Sequence, residues 1–283
     1  MIENYDISKT ITGVIKKNEV IATAKNGEEA RNLILEIPGE DSAFDAGANF
    51  GVLVPGPHEF GNPYHFRLYG VAGIEKKNGK TLIDMCVKRC TYVDEFNGEQ
   101  YKGVASNYLC DSKLEDKIMI VGPFPGPFKI PEDKASNLLL IAQGTGIAPF
   151  RGLIQNIYKQ HGGWKGKVRL YYGGKTGMEL MYMNNQKDDF VNYYDEKTFK
   201  AFQAVSPRPF LGEPVNFEQA FEQNSKEIWG MITHANTLVY MAGLKKMKEA
   251  IDQAFAKVAG SEEKWESRKA ELVAGGRWVE LLY

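Results

Sequence analysis

Two hydrophobic rhythms divide the chain. In the first half, Ile11–Ala24, Asn32–Ile37, His65–Ala72, Thr81–Tyr92 and Lys117–Val121 are short segments rich in β-branched and aromatic residues. Turn chemistry separates them, as at Asn78-Gly79 and Asn97-Gly98. Five or six such segments without long helical patterns between them predict a small β-barrel or sandwich. One short helix is expected over Ser106–Cys110.

The rhythm changes after Gly122-Pro123-Phe124-Pro125-Gly126-Pro127 and Pro131, a cluster suited to a domain boundary. Leu138–Ala142 is a continuous apolar strand, followed by Gly144-Thr145-Gly146 and a helical stretch, Phe150–Gln160. Val168–Tyr172 and Thr237–Met241 read as further apolar strands. Met247, Ala250, Ile251, Ala254, Phe255 and Val258 recur at helical spacing, and Gly260 suits the stop. Strands alternating with helices predict a parallel α/β sheet. Two domains are therefore expected, residues 1–130 and 131–283, as the length of 283 also suggests.

Composition narrows the function. The chain is 43% hydrophobic and 25% charged, the balance of a globular protein that buries a core in each half. A net charge of −1 gives no global field for nucleic acid or a membrane surface. No run approaches the ~18 apolar residues of a spanning helix, so no membrane insertion is expected. Three cysteines cannot supply the quartet of an iron–sulfur cluster or a Cys-rich zinc site. Cys86 and Cys90 are expected on one face of one strand, too far apart for an easy disulfide. The odd count, with no signal-like start, points to a reducing, cytoplasmic setting. The histidines (His58, His65, His161, His234) show no metal spacing. Glu262–Glu266 reads as a solvated helix face or loop, and Met178–Met183 as packing.

Three motifs carry chemistry. At Gly144-Thr145-Gly146-Ile147-Ala148-Pro149-Phe150-Arg151 a buried strand ends, glycines let backbone approach a ligand, and a helix begins. Free N–H groups and the positive dipole end there suit a pyrophosphate. The pattern departs from Gly-x-Gly-x-x-Gly because Pro149 stands at the third position. In Arg67-Leu68-Tyr69, alternation places a guanidinium and a phenol on one strand face, able to grip a phosphate and lie against a flat ring. Gly103-Val104-Ala105-Ser106 leads small residues into a short helix with Ser106 at a capping position, either a second pyrophosphate site or a plain N-cap.

Taken together and in order, these blocks resemble the plant-type ferredoxin–NADP(+) reductases over nearly the whole chain. The resemblance is carried by Arg67-Leu68-Tyr69, Cys86-Val87-Lys88-Arg89, Lys102–Asp111, Gly144–Arg151, Tyr240-Met241-Ala242-Gly243-Leu244-Lys245 and the terminal Tyr283. It implies an antiparallel β-barrel FAD-binding domain followed by a Rossmann-like α/β domain for NAD(P). By that resemblance Arg67 holds the FAD pyrophosphate with N–H groups of Ala105 and Ser106, in the segment that Gly103 and Val104 open. Tyr69, after Leu68, stacks on one flavin face and Tyr283 covers the other until nicotinamide displaces it. Cys86, Val87 and Lys88 line the FAD site, and Tyr92 meets its adenine side. Gly144, Thr145 and Gly146 receive the dinucleotide pyrophosphate, while Gly243 and Leu244 support the nucleotide. The implied activity passes electrons between NADP(H) and a one-electron carrier: ferredoxin, flavodoxin or another redox protein. The reductase component of an oxygenase or other multicomponent system, or a flavin-binding subunit with weak turnover, are the alternatives.

The departures cluster where hydride moves. Gly70 stands where the resemblance implies a serine near flavin N5, Ala242 where it implies a cysteine near nicotinamide, and Leu281 where it implies an acid. Glu280 is offset by one. These changes imply a tuned or slower hydride step or a different rate-limiting partner, unless other groups take over the replaced roles. At the adenosine end, Ser206-Pro207-Arg208 replaces an adjacent Ser-Arg, and Glu213–Asn216 lacks the expected Lys-x-Tyr. Arg208 still favours NADP(H) over NAD(H).

Overall fold

The structure, a computed structural model, describes residues 5–23, 29–39, 43–56, 61–94, 96–160 and 162–283. Ala24, His58 and His161 lie outside the described residues. Two compact units divide the chain: Met1–Gly126 with Arg151–Leu153, and Pro127–Phe150 with Ile154–Tyr283.

In the first unit, alternating burial builds an antiparallel, barrel-like sheet. Its strands are β1 (Thr10–Thr23), β2 (Glu29–Pro38), β3 (Asn49–Pro55), β4 (Tyr64–Gly70), β5 (Gly73–Lys77), β6 (Lys80–Lys88) and β9 (Lys117–Phe124). They run in the order β4-β3-β9-β1-β2-β6-β5. β1 spans the sheet between β2 and β9, with register shifts at Ile15/Lys17 and Val20/Ala22. Such bulges bend a long strand and tighten its twist, which helps a sheet curl. Ile15, Leu33, Leu35, Val52, Met85 and Ile120 fill the resulting core. A small hairpin, β7 (Thr91–Val93) with β8 (Gln100–Lys102), stands apart as its own sheet. It leads into α1 (Val104–Asp111), which packs on β3, β4 and β6 and buries Ala105, Leu109 and Cys110 in the core.

Thr81–Tyr92 is not one strand. β6 stops at Lys88, and the chain turns through Arg89 and Cys90 before β7. Arg89 still bonds the Glu29 carbonyl of β2, but Cys90 turns to the start of α1: its carbonyl accepts from Gly103 N–H and its N–H donates to Ser106 Oγ. Cys86 is buried and Cys90 exposed, so the two do not share a strand face.

In the second unit, five parallel strands form the order β12-β11-β10-β13-β14. They are β10 (Asn137–Gln143), β11 (Val168–Gly174), β12 (Phe199–Val205), β13 (Thr237–Gly243) and β14 (Trp278–Leu282). β11 is buried at every position, as a parallel strand covered on both faces must be. The helices are α2 (Ile147–Gln155), continued by a π-helical turn over Asn156–Gln160, then α3 (Phe217–Glu222), α4 (Ser225–Thr233), α5 (Met247–Ala259) and α6 (Glu262–Ala274). α5 ends on Gly260 in the left-handed conformation (φ 87°), whose N–H caps the Ala256 and Lys257 carbonyls. Glu262–Glu266 is the start of α6, capped by Ser261. Trp265 anchors that charged helix by stacking on Phe255, with ring centroids 4.3 Å apart. Met181 and Met183 are buried while Met178 is partly exposed. Among the described residues no helix is long and apolar enough to cross a membrane.

Candidate functional site

The first unit presents a cradle built from β4, β6 and α1. Arg67 is exposed on β4 and Tyr69 lies two residues on, so both leave one face of the strand. Burial pushes the Tyr69 phenol well above the ordinary tyrosine range; the charge of Arg67 opposes this, and Cys110 and Cys90 add to it. The phenol is therefore neutral at any working pH, a flat ring with no charge of its own. Leu68 and Gly70 are half-buried beside it. On β6, Cys86 and Val87 are buried and Lys88 is exposed.

The start of α1 completes this cradle. Gly103 is the N-cap, and no side chain caps the helix. Ser106 is not the cap: its hydroxyl sits inside the first turn, accepting from Cys90 N–H at 3.2 Å and donating to the Gly103 carbonyl at 3.3 Å. The backbone N–H groups of Val104, Ala105 and Ser106 belong to a first turn that α-helical bonding leaves unsatisfied. A Cβ on Gly103 would lie 2.9 Å from Ser106 Oγ and 3.2 Å from the Cys90 carbonyl oxygen. An uncapped helix start at a glycine, on a sheet that carries an exposed guanidinium, fits an anionic pyrophosphate.

Two residues to which the sequence assigned no role hold this cradle together. Asn107 is 7% exposed. It donates to the Cys90 and Gly103 carbonyls at 3.0 and 2.8 Å and accepts from Arg89 Nη1 at 2.9 Å. Arg89 also bonds Glu29 at 2.9 Å and Asp111 at 2.8 Å, so β2, the β6–β7 turn and α1 are tied by one guanidinium. Hydrogen bonds from Arg31, with Arg89 adding, hold the Glu29 carboxyl below its usual range against the effect of burial. Gly103 apart, these partners lie 17 to 60 residues away and leave no short-range sequence signal. On the separate hairpin, Tyr92 is 52% exposed and stacks on its cross-strand partner Tyr101, with centroids 5.8 Å apart and planes at 26°. That offers a two-ring apolar platform.

The second unit carries its own site at the point where strand order reverses. β10 is followed in sequence by β11 on one side, while β13 pairs on the other. Ligand crevices in open parallel sheets lie outside the carboxyl ends of such a strand pair. Gly144-Thr145-Gly146 leaves β10 as a 3₁₀ turn and enters α2. Gly144 has φ 59°, and a Cβ on Gly146 would lie 2.1 Å from the Ala242 carbonyl oxygen. Gly243, with φ 145°, faces the other way: its Cβ would lie 2.6 Å from the Gln143 carbonyl oxygen. The two loops touch backbone to backbone, which only glycine permits. Tyr172 fixes the turn by donating to the Gly144 carbonyl at 3.1 Å.

The chain end joins this crevice. Tyr283 N–H donates to the Gly243 carbonyl and its own carbonyl accepts from Lys245 N–H. Its hydroxyl lies 2.5 Å from Thr145 Oγ1. Ala242 is fully buried and Leu244 half-buried. Glu280 accepts from Trp278 Nε1 at 2.6 Å and from Lys248 at 2.9 Å. Burial raises its carboxyl, but those hydrogen bonds and the lysine charge outweigh it and leave a net lowering. Ser206 and Arg208 follow β12 at the same carboxyl edge of the sheet.

An antiparallel, barrel-like unit with an anion cradle, followed in the chain by a parallel α/β unit with a dinucleotide crevice, defines a class of two-domain nucleotide-dependent oxidoreductases. A family model described as the oxidoreductase NAD-binding domain matches residues 140–253. The ferredoxin–NADP reductase of the Cyanophora paradoxa cyanelle is 31% identical over 269 residues, covering 92% of this chain and 73% of that protein. That of Spirulina sp. is 29% identical over 283 residues, covering 97% and 95%. The solved ferredoxin–NADP+ reductase of Plasmodium falciparum superposes with a TM-score of 0.70 at 18% identity, covering 99% of this chain and 98% of that one. The chain belongs to the ferredoxin–NADP reductase family.

Proposed function

We propose that the protein binds FAD at the cradle of its first unit and NADP(H) at the crevice of its second, and passes electrons between NADP(H) and ferredoxin. The observation that carries the reading is the uncapped start of α1, with its close-approach glycine, packed on the strand that bears Arg67 and Tyr69. FAD, when bound, takes up two electrons as a hydride and gives them out one at a time, which a nicotinamide alone cannot do.

The side chains divide the work. Arg67 and the first-turn N–H groups of α1 hold the pyrophosphate, and neutral Tyr69 lies flat against the isoalloxazine. Tyr92, backed by Tyr101, receives the adenine. In the second unit the Gly144–Gly146 turn binds the nucleotide phosphates, and Gly243 and Leu244 shape its support. Tyr283 must leave Thr145 when a nucleotide takes that hydroxyl. The partner supplies its own iron–sulfur centre, since three cysteines fall short of the four a cluster takes. Free thiols also favour a reducing compartment such as the cytoplasm.

The test is an anaerobic titration of the purified yellow protein with NADPH, followed by ferredoxin-dependent reduction of cytochrome c. Bleaching of the flavin and ferredoxin-dependent turnover are expected. A preparation that binds no flavin, or one whose flavin NADPH does not reduce, defeats the reading.

A further inference from the structure

The loop after β12 leaves the same carboxyl edge of the parallel sheet as the Gly144–Gly146 turn, and it carries two opposite charges. Residues 206–216 contain one cation, Arg208, and one anion, Glu213. Ser206 is 5% exposed and donates its hydroxyl to the Glu213 carbonyl at 2.7 Å. That bond closes the loop and uses the hydroxyl internally. Pro209–Leu211 forms a 3₁₀ turn and Gly212, with φ 76°, reverses the chain, which brings Glu213 back beside Arg208. Arg208 Nη1 lies 3.8 Å from Glu213 Oε1. This is an ion pair too long for a direct hydrogen bond, and the Arg208 side chain is 69% exposed. Asn216 is spent elsewhere, capping α3 through Gln219 N–H at 2.9 Å.

Resting on the reading above, we infer that Glu213 is a specificity-determining residue that holds down the preference for a 2′-phosphorylated dinucleotide, so that NADH is accepted beside NADPH. The chemistry has two sides. A 2′-phosphate is a dianion that wants cations and donors; here it meets one guanidinium whose field a neighbouring carboxylate partly cancels. A free ribose 2′-hydroxyl wants an acceptor, which a carboxylate supplies. Arg208 and Glu213 therefore serve opposite ligands from one loop. Exposed Phe210 and Leu211, between them, offer apolar surface to either adenine alike and do not discriminate.

The test is calorimetric binding of adenosine 2′,5′-bisphosphate and of AMP to the full-length flavin-loaded protein, for the wild type, Glu213→Gln and Glu213→Ala. The wild type is expected to favour the bisphosphate by no more than about ten- to thirty-fold, since one partly neutralised cation is all the loop offers. Both variants are expected to tighten the bisphosphate about ten-fold and to weaken AMP a few-fold. The ratio of kcat/KM for NADPH over NADH should rise in step. An unchanged ratio in both variants, with both ligands still binding, overturns the inference and leaves the nucleotide site standing. Binding of the bisphosphate with no binding of AMP overturns the inference alone; failure of both ligands to bind the wild type overturns the nucleotide site and the inference together.

Discussion

Tyr283 and Thr145 hold each other across 138 residues: their hydroxyls lie 2.5 Å apart. The contact is not incidental to a docked chain end, because Tyr283 is also bonded through its backbone to Gly243 and Lys245. The backbone bonds place the residue, and the hydroxyl then closes over the turn that leaves β10. A ligand that needs Thr145 must first break this bond.

Tyr283→Phe keeps the ring and the backbone bonds and removes only the competing hydroxyl. NADP(H) binding is expected to tighten about five-fold, the worth of one ordinary hydrogen bond of about 1 kcal/mol. Thr145→Val removes the same bond but also the group the ligand would gain, so its affinity is expected to fall or stay level. Isothermal titration with NADP+ separates the two. Equal affinities for Tyr283→Phe and the wild type would mean the hydroxyl contact does not compete.

Gly146 is where the crevice tolerates no side chain. A Cβ would lie 2.1 Å from the Ala242 carbonyl oxygen, and backbone cannot step aside as a flexible side chain can. Gly146→Ala is expected to cost about 1–3 kcal/mol by overpacking and to weaken nucleotide binding more than ten-fold. Gly177→Ala, with nothing within 4 Å of the new methyl, is the control and should change neither. Thermal melts with calorimetry check both, and flavin content should hold in each variant because its proposed cradle lies in the other unit.

What was legible in the sequence follows from range. β10 and α5 were readable because an unbroken apolar run and a 3.6-residue repeat are local signals, and Gly260 marks its stop within the same window. β3 escaped notice because Gly51 and Pro55 interrupt its apolar run, although Val52 and Leu53 are wholly buried. β5 hides three exposed residues, Glu75 to Lys77, behind one buried glycine. β14 reads as a tail until its parallel pairing with β13 is known. The candidate site shows the same divide. The glycine turn and the Arg67–Tyr69 alternation are local patterns. Asn107 and Arg89 matter through partners far along the chain, and Ser106 was misread as a cap because Gly103 three residues earlier takes that position.

Glu227 ties stability to pH. Two hydrogen bonds from buried Arg169, at 2.8 and 3.0 Å, hold its carboxyl down to about 2 against the opposing effect of burial; the Arg169 charge and Lys167 add to the lowering. A glutamate in the unfolded chain titrates near 4.5. The folded value is depressed, so the contribution is whole above about pH 4.5 and is lost as pH falls toward 2. Discounted for the solvent that reaches Glu227, it amounts to about 1–2 kcal/mol at neutral pH. Glu227→Gln is expected to lower stability at pH 7 and to flatten the acid limb of the unfolding curve across that window. Urea titrations from pH 3 to pH 7 measure it; an acid limb as steep as the wild type's would remove Glu227 from the account.

Gly70 and Leu281 stand where the family resemblance implies a serine and an acid. Glu280 lies one residue from the position Leu281 occupies, which raises the question of whether it replaces the missing acid. It does not: Trp278 and Lys248 already occupy its carboxylate. Gly70 ends β4, paired with Asn49 and next to Tyr69, so a hydroxyl restored there sits at the rim of the proposed flavin cradle. A hydrogen bond supplied to the reacting ring is worth about 1–3 kcal/mol, or about one to two decades in rate. Gly70→Ser is therefore expected to speed flavin reduction by NADPH about ten- to a hundred-fold, with flavin affinity little changed. Glu280→Gln should leave that rate within about two-fold and lower only stability, because its bonds are to the second unit's own framework. Stopped-flow reduction under anaerobic conditions reads both. A wild type that already reduces its flavin near 10³ s⁻¹, at the upper end of ordinary turnover, would show that other groups have taken over the serine's role.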